Sequence, residues 1–262
     1  MDFLKTLGWF WLFLPMWAAA QTSTPVLALA VSADHTLLAT GALDGLLRVR
    51  DLATGEEQYR QRLLGREGIL TLRFETSQSL LIGARDGTFW RWATPSGQIH
   101  SATVPQSVKA QTDVLSPDKS FIARPMKEGR LQILENLSEK LVAEAAVGEV
   151  GYLIWAPFGV LIADDRTLVL RRPSLEKLWS IPFSSPTTAL ATLGTHWAVT
   201  LADGRVFAGE GDGQSIVTWQ AHASGINAVV WADDRRLVTA GADSKVSIWS
   251  YPETKRIGSV LP

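Results

Sequence analysis

Six acidic residues recur along the chain at near-constant spacing, each followed three positions later by an apolar side chain. They are Asp44, Asp86, Glu128, Asp165, Asp203 and Asp243, separated by 42, 42, 37, 38 and 40 residues. A ring of carboxylates around an axis could hold a cation or support metal-assisted hydrolysis. Regular recurrence points instead to turn architecture, since each acid falls where a tight turn needs an acceptor, and three repeats contain Asp-Gly. The other reactive side chains are sparse. There are four His, at positions 35, 100, 196 and 222, and no two stand at metal-ligand spacing. No Gly-x-Ser-x-Gly elbow and no phosphate-cradling loop is present. The chain has no Cys, which excludes disulfides, thiol chemistry and covalent c-type haem. A channel-site hydrolase of the lactonase kind would have to draw on Asp113, Asn227 and Glu149, none of them in a recognisable motif. A redox accessory protein with a non-covalent cofactor is a further alternative. The expectation is no cofactor, no metal and no catalytic residue.

The elements that would position these acids read most clearly from Trp219 to Ser250. Ile226 to Trp231, Arg236 to Ala240 and Lys245 to Trp249 are strand-like runs rich in Val, Ile, Thr and Trp, broken by Asp, Gly and Ser. One such sheet cannot bury both of its faces, so copies are expected, and a period near forty is that of propeller blades. Apolar alternation after each acid (Leu47/Val49, Leu131/Ile133, Leu168/Leu170, Val206/Ala208, Val246/Ile248) fits strands packed between layers. The expected fold is all-β: a six-bladed β-propeller of four-stranded antiparallel blades. The blades run from about Val26, Ile69, Val108, Tyr152, Thr187 and Ile226. Gln21 to Pro25 is too short for a convincing strand, so the ring should close by packing between blades one and six. Trp90 and Trp92 should fill a gap between blades. Phe158 and Gly159 stand where other blades have a polar turn and mark a place to look for a contact surface. Gly209, Gly211 and Gly213 should loosen the outer edge of blade five.

The unit at Trp219 to Ser250 resembles a WD40 repeat. His222 stands where that family has the His of its Gly-His pair, Thr239 matches its hydroxyl, Asp243 its turn acid and Trp249 the Trp of Trp-Asp. The resemblance implies that these four side chains hydrogen-bond in a row and lock the blade. The first unit keeps Thr40 and Asp44 but has Arg50-Asp51 in place of Trp-Asp. The second keeps Asp86 and Trp92 but has Ile82 at the hydroxyl position.

Residues 1–20 read as a secretory signal peptide. Lys5 precedes an apolar core too short to span a bilayer comfortably, and Ala18-Ala19-Ala20 supplies the cleavage pattern. An uncleaved N-terminal anchor is the alternative. Residues 21–262 then form one propeller domain in the periplasm, without membrane insertion. Lys+Arg 25 against Asp+Glu 26 leaves no electrostatic footprint for nucleic acid. The expected function is a non-catalytic scaffold or accessory subunit for other periplasmic or membrane-complex proteins. On the face that holds the turn acids, Arg66, Glu67, Arg85, Lys127, Glu149, Asp164 and Arg166 form the candidate partner-binding surface.

Overall fold

The computed structural model describes residues 24–63, 68–93, 96–102 and 113–260. The expected signal peptide, Arg66, Glu67 and most of the first strand of blade three lie outside the described residues. Among the described residues, twenty-four strands form six four-stranded antiparallel sheets. Blade one holds β1 (Val26–Val31) to β4 (Glu57–Arg62), with β2 (Leu37–Ala42) and β3 (Leu46–Asp51) between them. Blade two holds β5 (Ile69–Thr76), β6 (Ser79–Ala84), β7 (Phe89–Ala93) and β8 (Gln98–Ser101). Blade three holds β9 (Val114–Leu115), β10 (Phe121–Met126), β11 (Arg130–Glu135) and β12 (Leu141–Ala146). Blade four runs from β13 (Tyr152–Ala156) through β14 (Gly159–Ala163) and β15 (Thr167–Arg171) to β16 (Lys177–Pro182). Blade five comprises β17 (Thr187–Leu193), β18 (His196–Leu201), β19 (Arg205–Glu210) and β20 (Ile216–Gln220). Blade six comprises β21 (Ile226–Asp233), β22 (Arg236–Gly241), β23 (Val246–Ser250) and β24 (Arg256–Val260). Six blades is the number that the repeat predicts. Among the described residues no helix is long and apolar enough to cross a membrane.

Strand alternation explains how a blade serves two neighbours. Side chains at successive positions point to opposite faces. Leu37, Ala39, Leu47 and Val49 pack against Leu80, Ile82 and Trp92 of blade two. Leu38 and Leu52, from the other face, pack against Val238 and Val246 of blade six. The second strand of a blade is thus buried on both faces, which is why Leu37–Ala42 is buried throughout. Each fully buried Leu or Val contributes about 1.5–3 kcal/mol, and similar clusters join blades three to four, four to five and five to six. The inner strands of blades one, two, five and six share a register shift near their start, a bulge that bends the strand where it meets the axis.

Among the described residues no strand is exchanged to close the ring. Blades one and six are each built from their own consecutive strands, so closure is by packing, as expected. Asn227 Nδ2 donates to the Val26 carbonyl at 2.9 Å, and His35 Nδ1 meets the Ala232 carbonyl.

Three expectations need correction. Gly209, Gly211 and Gly213 do not loosen blade five. A Cβ at these positions would lie 2.8 Å from Trp197, 2.5 Å from Phe158 and 2.9 Å from Trp179, so the glycines are seats for aromatic rings. Phe158 is consequently engaged against Gly211 rather than displayed as a contact surface. The fourth strand of blade five runs from Ile216 to Gln220, so it takes in Trp219 and Gln220, which the sequence pattern groups with the next unit at Trp219 to Ser250.

Candidate functional site

Two sites follow from this scaffold: a buried polar row in blade six, and a groove on the face that carries the turn acids.

The row begins in the connection between blades five and six, where His222 is buried. Its Nδ1 lies 2.9 Å from Asp243 Oδ1 and its Nε2 lies 2.8 Å from Thr239 Oγ1. Trp249 Nε1 donates to the same Thr239 oxygen at 2.9 Å. The direction of donation follows from the chemistry. A carboxylate only accepts, so Nδ1 carries the hydrogen toward Asp243; an indole only donates, so Thr239 gives its own hydrogen to Nε2. The strands dictate the geometry. Thr239 lies on β22, directly opposite Ser247 of β23, and Trp249 follows two residues on along the same face. A linear chain of this kind, shielded from water, is worth more than its members taken singly.

The turn acids act as backbone acceptors in four blades. Asp44, Asp86, Asp203 and Asp243 each accept from the amide two residues on, at 3.2, 2.8, 3.2 and 3.2 Å. In blade four the residue doing this is Asp164, which accepts from the Arg166 amide at 2.8 Å, so the repeat anchor shifts by one from Asp165. In blade three Glu128 sits in a short 3₁₀ turn (Lys127–Gly129) at φ 61° and replaces the aspartate turn. The Thr88 hydroxyl and then its amide hold Asp86 below the usual carboxylate range. The Arg205 guanidinium does the same for Asp203. Among the described residues no group of three or more His, Asp or Glu is placed to hold a metal ion. The hydrolase candidates are dispersed among separate jobs: Asp113 pairs with Arg124 at 2.7 Å, Asn227 holds Val26, and Glu149 lines the groove.

The groove is a cavity of about 720 Å³ spanning the loops of blades three, four and five. It brings together Lys127, Glu149 and Asp164 of the expected surface, and adds Glu128, Asp165 and Thr187. Arg166 stands beside it, with Nε 3.3 Å from Asp165 and Nη1 donating to the Ser184 carbonyl at 2.9 Å. Arg85 belongs to a different turn, between β6 and β7, where it is exposed. The sequence pattern marked these residues only as polar loop positions. Nothing in their spacing says that blades three and four would enclose a cavity while blade two stands apart.

A six-bladed propeller with a hydrogen-bonded His–Asp–Thr–Trp row and a concave loop face defines a repeat protein of the interaction class. The family model "WD domain, G-beta repeat" matches residues 18–51 and 213–250. The second match starts before β20 and ends with β23, so one sequence repeat spans the outer strand of one blade and three strands of the next. These two stretches, at the first and the last blade, are similar to WD40 repeats. A search of the curated proteins finds no match.

Proposed function

We propose that this protein is a non-catalytic interaction module that acts in the periplasm, docking a partner protein over the groove of blades three and four. WD40 propellers mediate protein–protein interactions. The observation that carries the choice of face is the 720 Å³ cavity, lined by Lys127, Glu128, Glu149, Asp164 and Asp165. Its charge is predominantly negative, which favours a partner segment bearing Lys or Arg. Blades packed through shared apolar clusters make a stiff platform, and short loops on a stiff platform lose little entropy on binding. Export rests on the apolar N-terminal stretch and its Ala18-Ala19-Ala20 pattern.

A photo-crosslinking residue at Glu149 tests the docking face, with one at Leu137, exposed on the β11–β12 turn at the other end of the blade, as control. Crosslinks specific to Glu149 that disappear in Asp164→Lys are expected. Equal crosslinking from both positions, or crosslinks indifferent to Asp164→Lys, would remove this face. Mass measurement of the protein released by osmotic shock tests export: loss of residues 1–20 is expected, and retention of the full chain in the cytosolic fraction would overturn it.

A further inference from the structure

Two neighbouring blades display aliphatic side chains to solvent at the end opposite the groove. Leu137, on the turn between β11 and β12, is 99% exposed. Leu141 and Val142, at the start of β12, are 50% and 47% exposed, and Leu178, at the start of β16, is 40% exposed. Strand register explains two of them. Leu141 and Ala143 lie opposite Leu134 and Ile133, which leaves Val142 as the extra residue of a bulge. Lys177 and Trp179 lie opposite Arg171 and Leu170, which leaves Leu178 in the same position. Blade six repeats the bulge with Ile257, and blade one with Gln58. A Lys stands one or two residues before each aliphatic bulge, at positions 140, 177 and 255, whereas Glu56 and Glu57 precede the polar one.

We propose that this end of blades three and four docks on an anionic lipid surface. Lys119, Lys140 and Lys177 are exposed among the aliphatic tips. Asn136 Nδ2 donates to the Lys119 carbonyl at 2.9 Å, which sets this lysine beside Leu137. Leu175, from the turn that leads into β16, shares a buried cluster with Leu131 and Ile133 of blade three, so the two blades adjoin here. Among the described residues none of these three lysines is ion-paired, while the acids of the same turns are engaged. Asp118 accepts from Ser116 Oγ and Glu135 from Ser138 Oγ, both at 2.6 Å. Glu139 lies 3.9 Å from Arg124, and Glu176 3.1 Å from Arg172. Aliphatic tips enter the acyl boundary while lysine stems lie along it and their ammonium groups reach the headgroups. A folded protein partner would need a separate pocket for each tip; a lipid surface yields to all of them. The groove, lined by turns at the other end of the same strands, is predominantly negative. An anionic surface repels it and leaves it open. The two readings concern opposite ends of the propeller, so either can fail alone.

Flotation of the full chain with vesicles tests this, using phosphatidylcholine alone and phosphatidylcholine mixed with phosphatidylglycerol. The variants are Leu137→Ser with Val142→Ser and Leu178→Ser, Lys119→Gln with Lys140→Gln and Lys177→Gln, and, as a control at the groove end, Arg85→Gln with Lys127→Gln. All eight side chains are exposed, so Tm should match wild type. Every variant keeps residues 1–20, so any contribution of that apolar stretch cancels. Tighter binding to the mixed vesicles is expected, weakening as salt rises. The lysine variant should bind them less tightly by about fivefold for each charge removed. The serine variant should lose about tenfold or more, and the control should bind as wild type does. The proposal is overturned if the two kinds of vesicle bind alike, if either triple variant binds as wild type, or if the control loses as much. Wild type that ignores both vesicles but crosslinks a protein through Leu137 would make this end a protein surface and would equally overturn it.

Discussion

Blades six and three share one backbone plan and hold themselves together by opposite means. In blade six the second strand carries Thr239, buried and bonded to both His222 and Trp249. In blade three the equivalent residue of β10 is Arg124, whose side chain is 31% exposed and bonds Asp113 through Nε and Nη2 at 2.9 and 2.7 Å. Where blade six has Trp249, blade three has Leu134. On the same face Arg130 and Gln132 reach Glu144 at 2.6 and 3.0 Å. That face turns toward blade two, and among the described residues no buried apolar cluster joins those two blades. The difference teaches that the strand ladder alone makes a blade. What varies is whether the surface between blades excludes water, and this decides how much a polar contact is worth.

Substitution at Trp249 should separate the two blades most sharply. Trp249→Ala removes a buried ring that also faces Trp219 at 5.9 Å, and should cost about 3–5 kcal/mol in urea unfolding. The matching change in blade three, Leu134→Ala, should cost about 2–5 kcal/mol, at the lower end because its neighbours are polar. Thr239→Val comes next. It keeps the shape but leaves His222 Nε2 and Trp249 Nε1 buried without their partner, at about 1–3 kcal/mol. A loss as small as that of a surface residue would break the claim that the row is shielded.

Acidification probes what the two blades have in common. Asp118 in the first turn of blade three accepts from the Ser116 hydroxyl at 2.6 Å, which holds its carboxyl below the ordinary range. Asp233 at the same turn of blade six is pushed up by burial, but the Arg236 guanidinium at 2.7 Å brings it below that range on balance. Asp34 of blade one is lowered by Ser32 and Thr36. A depressed folded pKa stabilises the fold fully above the unfolded carboxylate value of about 4, and that contribution is lost as pH falls through the lower folded values. Unfolding free energy should therefore hold from pH 7 to about 5 and decline below about 4. Amide signals of these first turns should loosen together in blades one, three and six. The smallest effect belongs to the exposed pair: Arg124→Ala should change stability by less than about 1 kcal/mol, and less again in 1 M salt. A larger, salt-insensitive loss would show that the seam between blades two and three is drier than its polar residues suggest.

Much of this was legible in the sequence, for a local reason. Strands of one blade are neighbours along the chain, so the turn acids, the apolar alternation after them and the aromatic positions record each hairpin directly. The pattern was harder to read where the turn chemistry changes. Asp164 and Asp165 are adjacent acids, and only the path of the backbone shows that the first accepts the Arg166 amide. Glu128 keeps the acid but not the aspartate turn.

The amino-acid sequence by itself determined that this chain folds into six similar sheets, and which blade carries a His, an Asp, a Thr and a Trp at the right intervals. Tertiary structure alone decided what meets across the seams. It showed that three glycines of blade five are seats for rings and that Lys127, Glu149 and Asp164 share one groove. The physical reason is that close packing between blades depends on the size and shape of side chains far apart in the chain. Periodicity records which way a residue points, and not what it finds there.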